Sequence, residues 1–199
     1  RGLRAVFDQE ANETADEDDA VPGADTLGDA PASSERRRLL AMANTAESLA
    51  GDADAKLVKV AKEVEALLNE GFSPIVFCRY IATAEYVATE LERRLQRRGR
   101  PVTVESVTGL LPPEVRREKV AALSESENRV LVATDCLSEG INLQQLFDTV
   151  VHYDLSWNPT RHQQREGRVN RFGQPAELVR SIMLFSPLPT PMPMWAMPP

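Results

Sequence analysis

The stretch R-V-L-V-A-T-D-C-L-S-E-G-I-N, residues 129–142, decides the fold of this chain. Its first five residues, Arg129–Ala133, form a short apolar run rich in valine, which is typical of a strand buried on both faces. The residues that follow place hydroxyl, carboxylate, glycine and amide groups in one loop. Such a loop suits a site that binds a sugar and a phosphate and couples their binding to another part of the protein. A strand of this kind requires helices on both sides of its sheet.

The residues around this strand alternate between helical and strand-like patterns. Asp54 is placed to cap a helix that runs to about Asn69 and is closed by Gly71. Further helices are predicted over residues 82–98, 112–123 and 160–171, and further strands over residues 74–78, 102–107, 149–153 and 179–185. Five strands alternating with helices predict an α/β domain of three layers, with a mainly parallel sheet flanked by helices. In such a sheet, ligands bind at the loops beyond the carboxyl ends of the strands.

The two ends of the chain have compositions that do not favour a packed core. Residues 8–35 hold ten acidic and no basic side chains, so we predict a flexible acidic linker over residues 1–35 and a helical lead-in over residues 36–53. Proline stands at nearly every second position of residues 187–199, which predicts an extended tail. The net charge of -7 comes from the acidic segment, because the rest of the chain is close to neutral.

The overall composition, with 42% hydrophobic and 27% charged residues, is typical of a soluble globular protein. We find no apolar stretch long enough to span a bilayer and no signal-peptide core, so we expect a cytoplasmic protein, nucleoid-associated if bacterial, with no membrane partner. Two cysteines, Cys78 and Cys136, and two histidines, His152 and His162, lack partners at metal-ligand spacing. We therefore predict buried thiols and no metal site made by the chain.

A second informative stretch, residues 164–174, reads Q-R-E-G-R-V-N-R-F-G-Q. It places Arg168 and Arg171 three positions apart behind Gly167. Residues i and i+3 share a face of a helix, so both guanidinium groups can reach one anion, and a triphosphate is the natural candidate.

This stretch resembles the last conserved motif of superfamily 2 helicases and translocases, Q-x-x-G-R-x-x-R, in the form of the Swi/Snf-type branch that continues to R-x-G-Q. The loop after Arg129–Ala133 resembles the fifth motif of the same superfamily, A-T-D followed by Gly-Ile-Asn. The D-x-x-W-N-P pattern of that branch is matched by Asp154, Trp157, Asn158 and Pro159. Over residues 54–186 the chain thus resembles a C-terminal RecA-like helicase domain.

The resemblance implies a role for each matched residue. Arg168 and Arg171 would be catalytic, with Arg171 as the arginine finger on the γ-phosphate and Arg168 as the partner that orients the phosphates. The nucleotide would be contacted by Gly140, Asn142, Gln164 and Gly167. The nucleic acid would be contacted by Arg79, Thr108, Gly109 and Thr134.

Three further residues carry less specific expectations. Arg116 would support the fold. Trp157 is expected to pack rather than to stack on a base, and exposure of its indole would reverse that expectation. Glu166 stands where relatives often have an apolar residue, and its role stays open.

Half of an ATP site is missing from this sequence. It has no phosphate-binding loop of the form G-x-x-x-x-G-K-[ST] and no D-E-x-[HD] motif after a strand. In superfamily 2 motors these groups belong to a first RecA-like domain, and ATP lies between that domain and the second. The resemblance therefore implies ATP with Mg²⁺ held by a missing N-terminal RecA-like domain, and a fragment that alone does not hydrolyse ATP at a meaningful rate.

These observations predict the second motor domain of an ATP-dependent DNA helicase or translocase of Swi/Snf type, acting on double-stranded DNA. One alternative is an RNA helicase domain, and D-x-x-W-N-P with the terminal R-x-G-Q favours DNA over it. Another alternative is a non-catalytic RecA-like module that docks DNA or protein. The intact pair Arg168 and Arg171 argues against that module, because docking needs neither arginine at this spacing.

Overall fold

The computed structural model describes residues 33–96, 101–137 and 141–185, with side chains described from residue 36 onward. The predictions made for residues 1–32, for residues 187–199 and for Gly140 lie outside these ranges. Among the described residues, no helix is both long and apolar enough to cross a bilayer.

Strands and helices alternate along the described part of the chain. The strands are β1 (Pro74–Phe77), β2 (Thr103–Val107), β3 (Arg129–Ala133), β4 (Thr149–His152) and β5 (Arg180–Met183). The helices are α1 (Ser33–Ser48), α2 (Ala55–Asn69), α3 (Ile81–Gln96), α4 (Pro113–Ala122) and α5 (Pro159–Val169). Short 3-10 turns cover Gly51–Ala53, Leu123–Glu125 and Leu143–Gln145.

The five strands form one parallel sheet in the order β2-β3-β1-β4-β5. One face packs against α2 and α3, where Leu57 and Leu91 are fully buried. The other face packs against α4 and α5 through Val120 and Val169. The prediction of a three-layer α/β domain with a mainly parallel sheet is confirmed.

The ends of α2 follow the signals that the sequence carries. Asp54 Oδ1 accepts a hydrogen bond from the backbone N–H of Leu57 at 2.9 Å, as expected of an N-cap. Gly71 follows the helix with φ of 88°, a left-handed conformation that favours glycine. The chain can therefore leave α2 and enter β1 within a few residues.

The register of the sheet aligns the carboxyl ends of its strands. Phe77 pairs with Ala133 on one side and with His152 on the other, and Ala133 in turn pairs with Val107. His152 pairs with Met183 at the end of β5. The loops that follow these strands are therefore neighbours at one edge of the sheet.

Candidate nucleotide and nucleic-acid site

The four residues predicted to contact nucleic acid follow strand ends at the carboxyl edge of the sheet. Thr108 and Gly109 come directly after β2, Thr134 directly after β3, and Arg79 two residues after β1. The N–H of Thr134 donates to the carbonyl of Val107 at 3.3 Å, which joins the loops after β2 and β3. The structure thus brings the four residues to one edge.

These residues differ in how accessible they are. Thr108 and Thr134 are 4% and 1% exposed, whereas Gly109 and Arg79 are partly exposed. The Thr134 hydroxyl has no hydrogen-bond partner within the described ranges. A ligand atom could reach that hydroxyl only if the loop around it opened.

Arg116 of α4 holds two of these loops together. Arg116 is 5% exposed, and its guanidinium donates hydrogen bonds to the backbone carbonyls of Leu111, Cys136 and Gly109. Nε bonds Leu111 at 2.7 Å, Nη1 bonds Cys136 at 2.6 Å, and Nη2 bonds Gly109 at 3.2 Å. One buried charge therefore fixes the loop after β2 against the loop after β3, a role that fits the expectation that Arg116 supports the fold.

The residues predicted to contact the nucleotide lie along α5 and beside its C-terminal end. Gln164 and Gly167 are exposed on the helix, and a Cβ added to Gly167 would meet no atom within 4 Å. Arg168 is partly buried in the last turn. This face of α5 is therefore open to a ligand or to another domain.

The segment around Asn142 reaches the same region. Asn142 is exposed and precedes the turn Leu143–Gln145, which packs against α5. Gln145 Nε2 donates to the carbonyl of Gly173 at 2.9 Å. Two separate motifs, the loop after β3 and the end of α5, thus meet here.

The helix α5 ends earlier than predicted. It stops at Val169, and Asn170 leaves the helix with φ of -83° and ψ of 80°. Gly173 then turns the chain with φ of 88°. The side-chain amide of Gln174 donates to the carbonyls of Val169 at 2.9 Å and Phe147 at 3.0 Å, which ties this end to the segment before β4.

The shared helical face proposed for Arg168 and Arg171 is therefore wrong, because Arg171 lies beyond the end of α5. Arg171 is exposed in the turn that follows, with its N–H bonded to the carbonyl of Val169 at 3.0 Å. The two arginines also lie away from the carboxyl edge where the nucleic-acid residues gather. Their catalytic roles stay predictions.

Sequence reasoning missed Arg165, the residue that joins these two regions. It is 2% exposed, and its Nε and Nη2 form a bidentate ion pair with Asp135, both at 2.7 Å. Its Nη1 donates to the carbonyl of Asp154 at 2.9 Å, and the guanidinium lies 5.4 Å from the ring centre of Phe77. Its spacing in the sequence could have revealed this position. Arg165 stands four residues before the buried Val169, so the two share the buried face of a helix that is otherwise polar.

The open role of Glu166 is answered by a polar network between α5 and the sheet. Its Oε1 accepts from Ser181 Oγ of β5 at 2.6 Å and lies 3.3 Å from His152 Nε2 of β4. His152 is fully buried and packs edge-on against His162 at 4.9 Å. Burial, together with the positive charge of Arg165, lowers the pKa of His152, so the imidazole is neutral near pH 7.

The D-x-x-W-N-P residues have mostly structural contacts. Asp154 accepts from the N–H of Arg79 at 3.0 Å and pairs with Lys56 at 2.7 Å. Asn158 caps α5 by accepting from the N–H of Thr160 at 3.0 Å. Trp157, however, is 92% exposed, so the expectation that it packs in the domain is wrong.

The arrangement can supply positive charge to a phosphate. Arg168 and Arg171 flank an open surface, which fits a triphosphate approaching from outside the domain. In the part of the chain that the structure describes, no group of three or more His, Cys, Asp or Glu side chains could hold a metal ion.

A parallel sheet between two helical layers, with polar loops at the carboxyl ends of its strands, has the architecture of a RecA-like domain. The chain belongs to the helicase conserved C-terminal domain family, whose model matches residues 55–173.

Known proteins similar to this chain include ATP-dependent RNA helicases. The ATP-dependent RNA helicases dbp8 of Aspergillus terreus and Aspergillus fumigatus are each 38% identical over 114 residues, which is 57% of this chain and 20% of theirs. The chain thus spans about a fifth of the length of these relatives.

Two solved structures share the fold. Domain 2 of the DEAD-box helicase Mss116p bound to an RNA duplex has a TM-score of 0.55 and 15% identity, covering 65% of this chain and 49% of that one. The SWI2/SNF2 ATPase core of Sulfolobus solfataricus in complex with double-stranded DNA has a TM-score of 0.52 and 21% identity, covering 65% and 26%. At these identities the likeness confirms the RecA-like fold alone.

These findings correct the predictions of the helicase branch and of the nucleic acid. Assignment to the Swi/Snf-type branch, DNA translocation and double-stranded DNA as the partner are wrong, because the relatives at 38% identity are RNA helicases. The physical reason lies in the residues that favoured DNA. Asp154, Asn158 and Gln174 bind groups of this same domain, so their presence reports how the domain is built and not which nucleic acid it meets.

Proposed function

We propose that this chain is the second motor domain of an ATP-dependent RNA helicase. The observation that carries the proposal is the 38% identity to ATP-dependent RNA helicases across 114 residues. Membership of the helicase C-terminal family and the position of the arginines at the end of α5 support it. Because the chain spans only 20% of those relatives, the activity belongs to a longer protein.

In the proposed mechanism this domain supplies the arginines of an ATP site shared with a first RecA-like domain. Arg171 lies in an exposed turn, where it can approach the γ-phosphate and stabilise the charge that develops as the bond breaks. Arg168 orients the phosphates from the last turn of α5. A first domain would hold Mg²⁺, which neutralises the phosphates and positions them for attack.

The remaining predicted residues form two groups, one for the nucleotide and one for the nucleic acid. Asn142, Gln164 and Gly167, with Gly140, would face the nucleotide, since the exposed ones flank the open surface beside the arginines. Arg79, Thr108, Gly109 and Thr134 would meet the RNA backbone at the carboxyl edge of the sheet. Contacts to phosphate and sugar position a nucleic acid without reading its sequence.

ATP hydrolysis by the full-length protein in the presence of different nucleic acids tests this proposal. We expect single- or double-stranded RNA to stimulate the rate and double-stranded DNA of the same length to leave it near the rate without nucleic acid. Stimulation by DNA alone would contradict the proposal. All reactions should be compared at one salt concentration, because contacts to phosphates weaken as salt rises.

A further inference from the structure

An exposed apolar patch lies at the corner of the carboxyl edge where β4 and β5 end. Trp157 is 92% exposed and Phe185 is 76% exposed, and Leu155 and Met183 add exposed aliphatic surface. Large apolar side chains that are exposed together mark a surface that another group covers. We propose that this patch is the docking site of the chain's own proline-rich tail, residues 187–199.

Two of the four side chains of the patch follow one face of β5. Ser181 Oγ donates to Glu166 Oε1 of α5 at 2.6 Å, so Ser181 faces α5. Alternate residues of a strand share a face, which places Met183 on the α5 side as well. The N–H of Leu184 donates to the carbonyl of the last residue of β4 at 3.2 Å, so the pairing of the two strands continues past Met183. Phe185 therefore lies at the carboxyl edge beside the residues that follow β4.

The other two side chains approach the same corner from β4. Leu155 and Trp157 lie in the segment that leads from the end of β4 to the start of α5. Because β4 pairs with β5, this segment leaves the sheet next to Phe185. Its backbone is held near α5, since the N–H of Ser156 donates to His162 Nε2 at 3.0 Å. The described residues thus place two aromatic and two aliphatic side chains at one corner.

The proline-rich tail has the composition of a segment that gains from burial. It holds six prolines and no charged side chain. Most of its other residues are apolar, namely Leu188, Met192, Met194, Trp195, Ala196 and Met197. A segment that stays in solvent is instead rich in charge and poor in large apolar residues. Covering the patch would remove apolar surface of both partners from water.

Aromatic side chains are suited to bind a segment of this kind. Proline-rich segments adopt the polyproline II conformation and dock on surfaces lined by aromatic rings, since they are extended before they bind. Prolines have no N–H group, so the tail is poorly suited to extend the described sheet by pairing with its edge strand β5. The tail is therefore expected to meet side chains, such as those of Trp157 and Phe185, and not the backbone of β5.

The order of residues in the tail gives it one face for solvent. A polyproline II segment has about three residues per turn, so every third residue shares a face. Thr190 falls on one of the three faces. The other two are wholly apolar, one with Leu188, Pro191 and Met194 and the other with Pro189, Met192 and Trp195. Docking through the two apolar faces leaves Thr190 exposed.

The tail also begins beside the patch. Only Ser186 separates Phe185 from the first residue of the tail. At about 3.1 Å per residue, the tail can extend roughly 40 Å, which is enough to cross a corner formed by two neighbouring strands. The residues predicted to meet RNA follow β1, β2 and β3, whereas the patch follows β4 and β5. Attachment next to the patch favours the tail over a separate partner, because it raises the local concentration of the tail.

The two tryptophans of the chain report docking separately, since Trp157 is in the patch and Trp195 is in the tail. The variant Trp195→Phe leaves Trp157 as the single reporter. We expect deletion of residues 187–199 from this variant to raise the quenching of Trp157 by acrylamide about twofold, because the tail no longer covers the indole. In Trp157→Phe, Trp195 should be quenched about half as strongly as in a free peptide of residues 187–199.

Leu188→Asp and Thr190→Asp are matched variants, because they add the same charge at positions two residues apart in the tail. With Trp195→Phe as the background, Leu188→Asp should raise the quenching of Trp157 to the level of the shortened chain, since docking would bury the charge. Thr190→Asp should leave the quenching unchanged. On the patch, Phe185→Ser should act as Leu188→Asp does, and Leu110→Ser, at an exposed leucine after β2, is the control.

Equal quenching of Trp157 with and without the tail would overturn the proposal, as would equal effects of Leu188→Asp and Thr190→Asp. Protection of Trp157 that increases with protein concentration would assign the tail to a second copy of the chain and overturn docking within one chain. Protection that requires added RNA and not the tail would assign the patch to RNA. The quenching of Trp195 needs no deletion, so it decides the question if the shortened chain fails to fold.

Discussion

Single buried charges hold the functional loops of this domain in place. Arg116 and Arg165 are 5% and 2% exposed, and each donates to groups on loops at the carboxyl edge of the sheet. Arginine suits such positions because its donors point in fixed directions and its charge persists on burial. The apolar strands build the sheet, and these two guanidinium groups shape its edge.

Replacing Arg116 by alanine should lower the free energy of unfolding by about 3 kcal/mol, because three carbonyls lose a charged donor. Urea denaturation of the chain followed by circular dichroism measures this loss. The adjacent Arg117→Ala is the control, since Arg117 is exposed and pairs with Glu114 at 3.5 Å. Equal stability of the two variants would refute the role given to Arg116.

His152 should make the stability of the domain depend on pH. Its pKa is lower in the folded chain than its ordinary value, chiefly because of burial and the charge of Arg165, while Glu166 opposes the shift. The unfolded chain therefore binds more protons just below the ordinary value, and stability falls as the pH drops through it. His162, whose ring centre lies 4.9 Å from that of His152, also lowers the pKa of His152.

Unfolding in urea at pH 7.5 and at pH 5.5 checks this prediction with His152→Gln as the comparison. The wild type should lose more stability than the variant between these two pH values. A difference of the opposite sign, or none, would show that His152 does not titrate as its surroundings indicate.

At the scale of elements, α5 has a well-defined beginning and end that together set the place of the arginines. Asn158 caps its start, with Pro159 in the first turn. Its end is fixed by Gly173 and by the amide of Gln174. The position of Arg171 in an exposed turn follows from these few local contacts.

Two glycines near this end should respond in opposite ways to alanine. Gly173 has φ of 88°, so Gly173→Ala should destabilise the fold by about 1 kcal/mol. Gly167 lies within the helix with no atom within 4 Å of an added Cβ, so Gly167→Ala should stabilise it by about 0.5–1 kcal/mol. Urea denaturation of both variants measures the signs, and two changes of the same sign would contradict this assignment of the helix end.

Much of the fold was predictable because its signals are local. The run Arg129–Ala133 is apolar at four of five positions and forms β3 with the predicted bounds. Asp54 caps α2 as expected. The end of α5 was not predictable from helical spacing, because it depends on Gln174 reaching the carbonyls of Val169 and Phe147, and the latter lies 27 positions earlier in the chain.

The candidate site was predictable only in part for a related reason. Residues at strand ends could be placed at one edge of the sheet from the fold alone, as for Thr108 and Thr134. The pairing of Arg165 with Asp135 joins residues 30 positions apart, and spacing within one motif does not indicate it. The choice between DNA and RNA failed because Asp154 and Gln174 serve the domain itself.

At the scale of the whole molecule, the domain presents two regions that are linked through its interior. One is the carboxyl edge with its polar loops, and the other is the end of α5 with Arg168 and Arg171. Under the proposed function, the second of these regions would complete an ATP site shared with a first RecA-like domain.

The most direct test of this central claim is ATP hydrolysis by the full-length protein carrying Arg171→Ala, measured at saturating ATP and RNA. The rate should fall about 10³-fold or more, because an arginine finger contributes that much to phosphoryl transfer, while ATP and RNA still bind. The exposed Arg117→Ala serves as the control and should keep the wild-type rate. A rate for Arg171→Ala within a few-fold of the wild type would contradict the claim that this domain completes the ATP site.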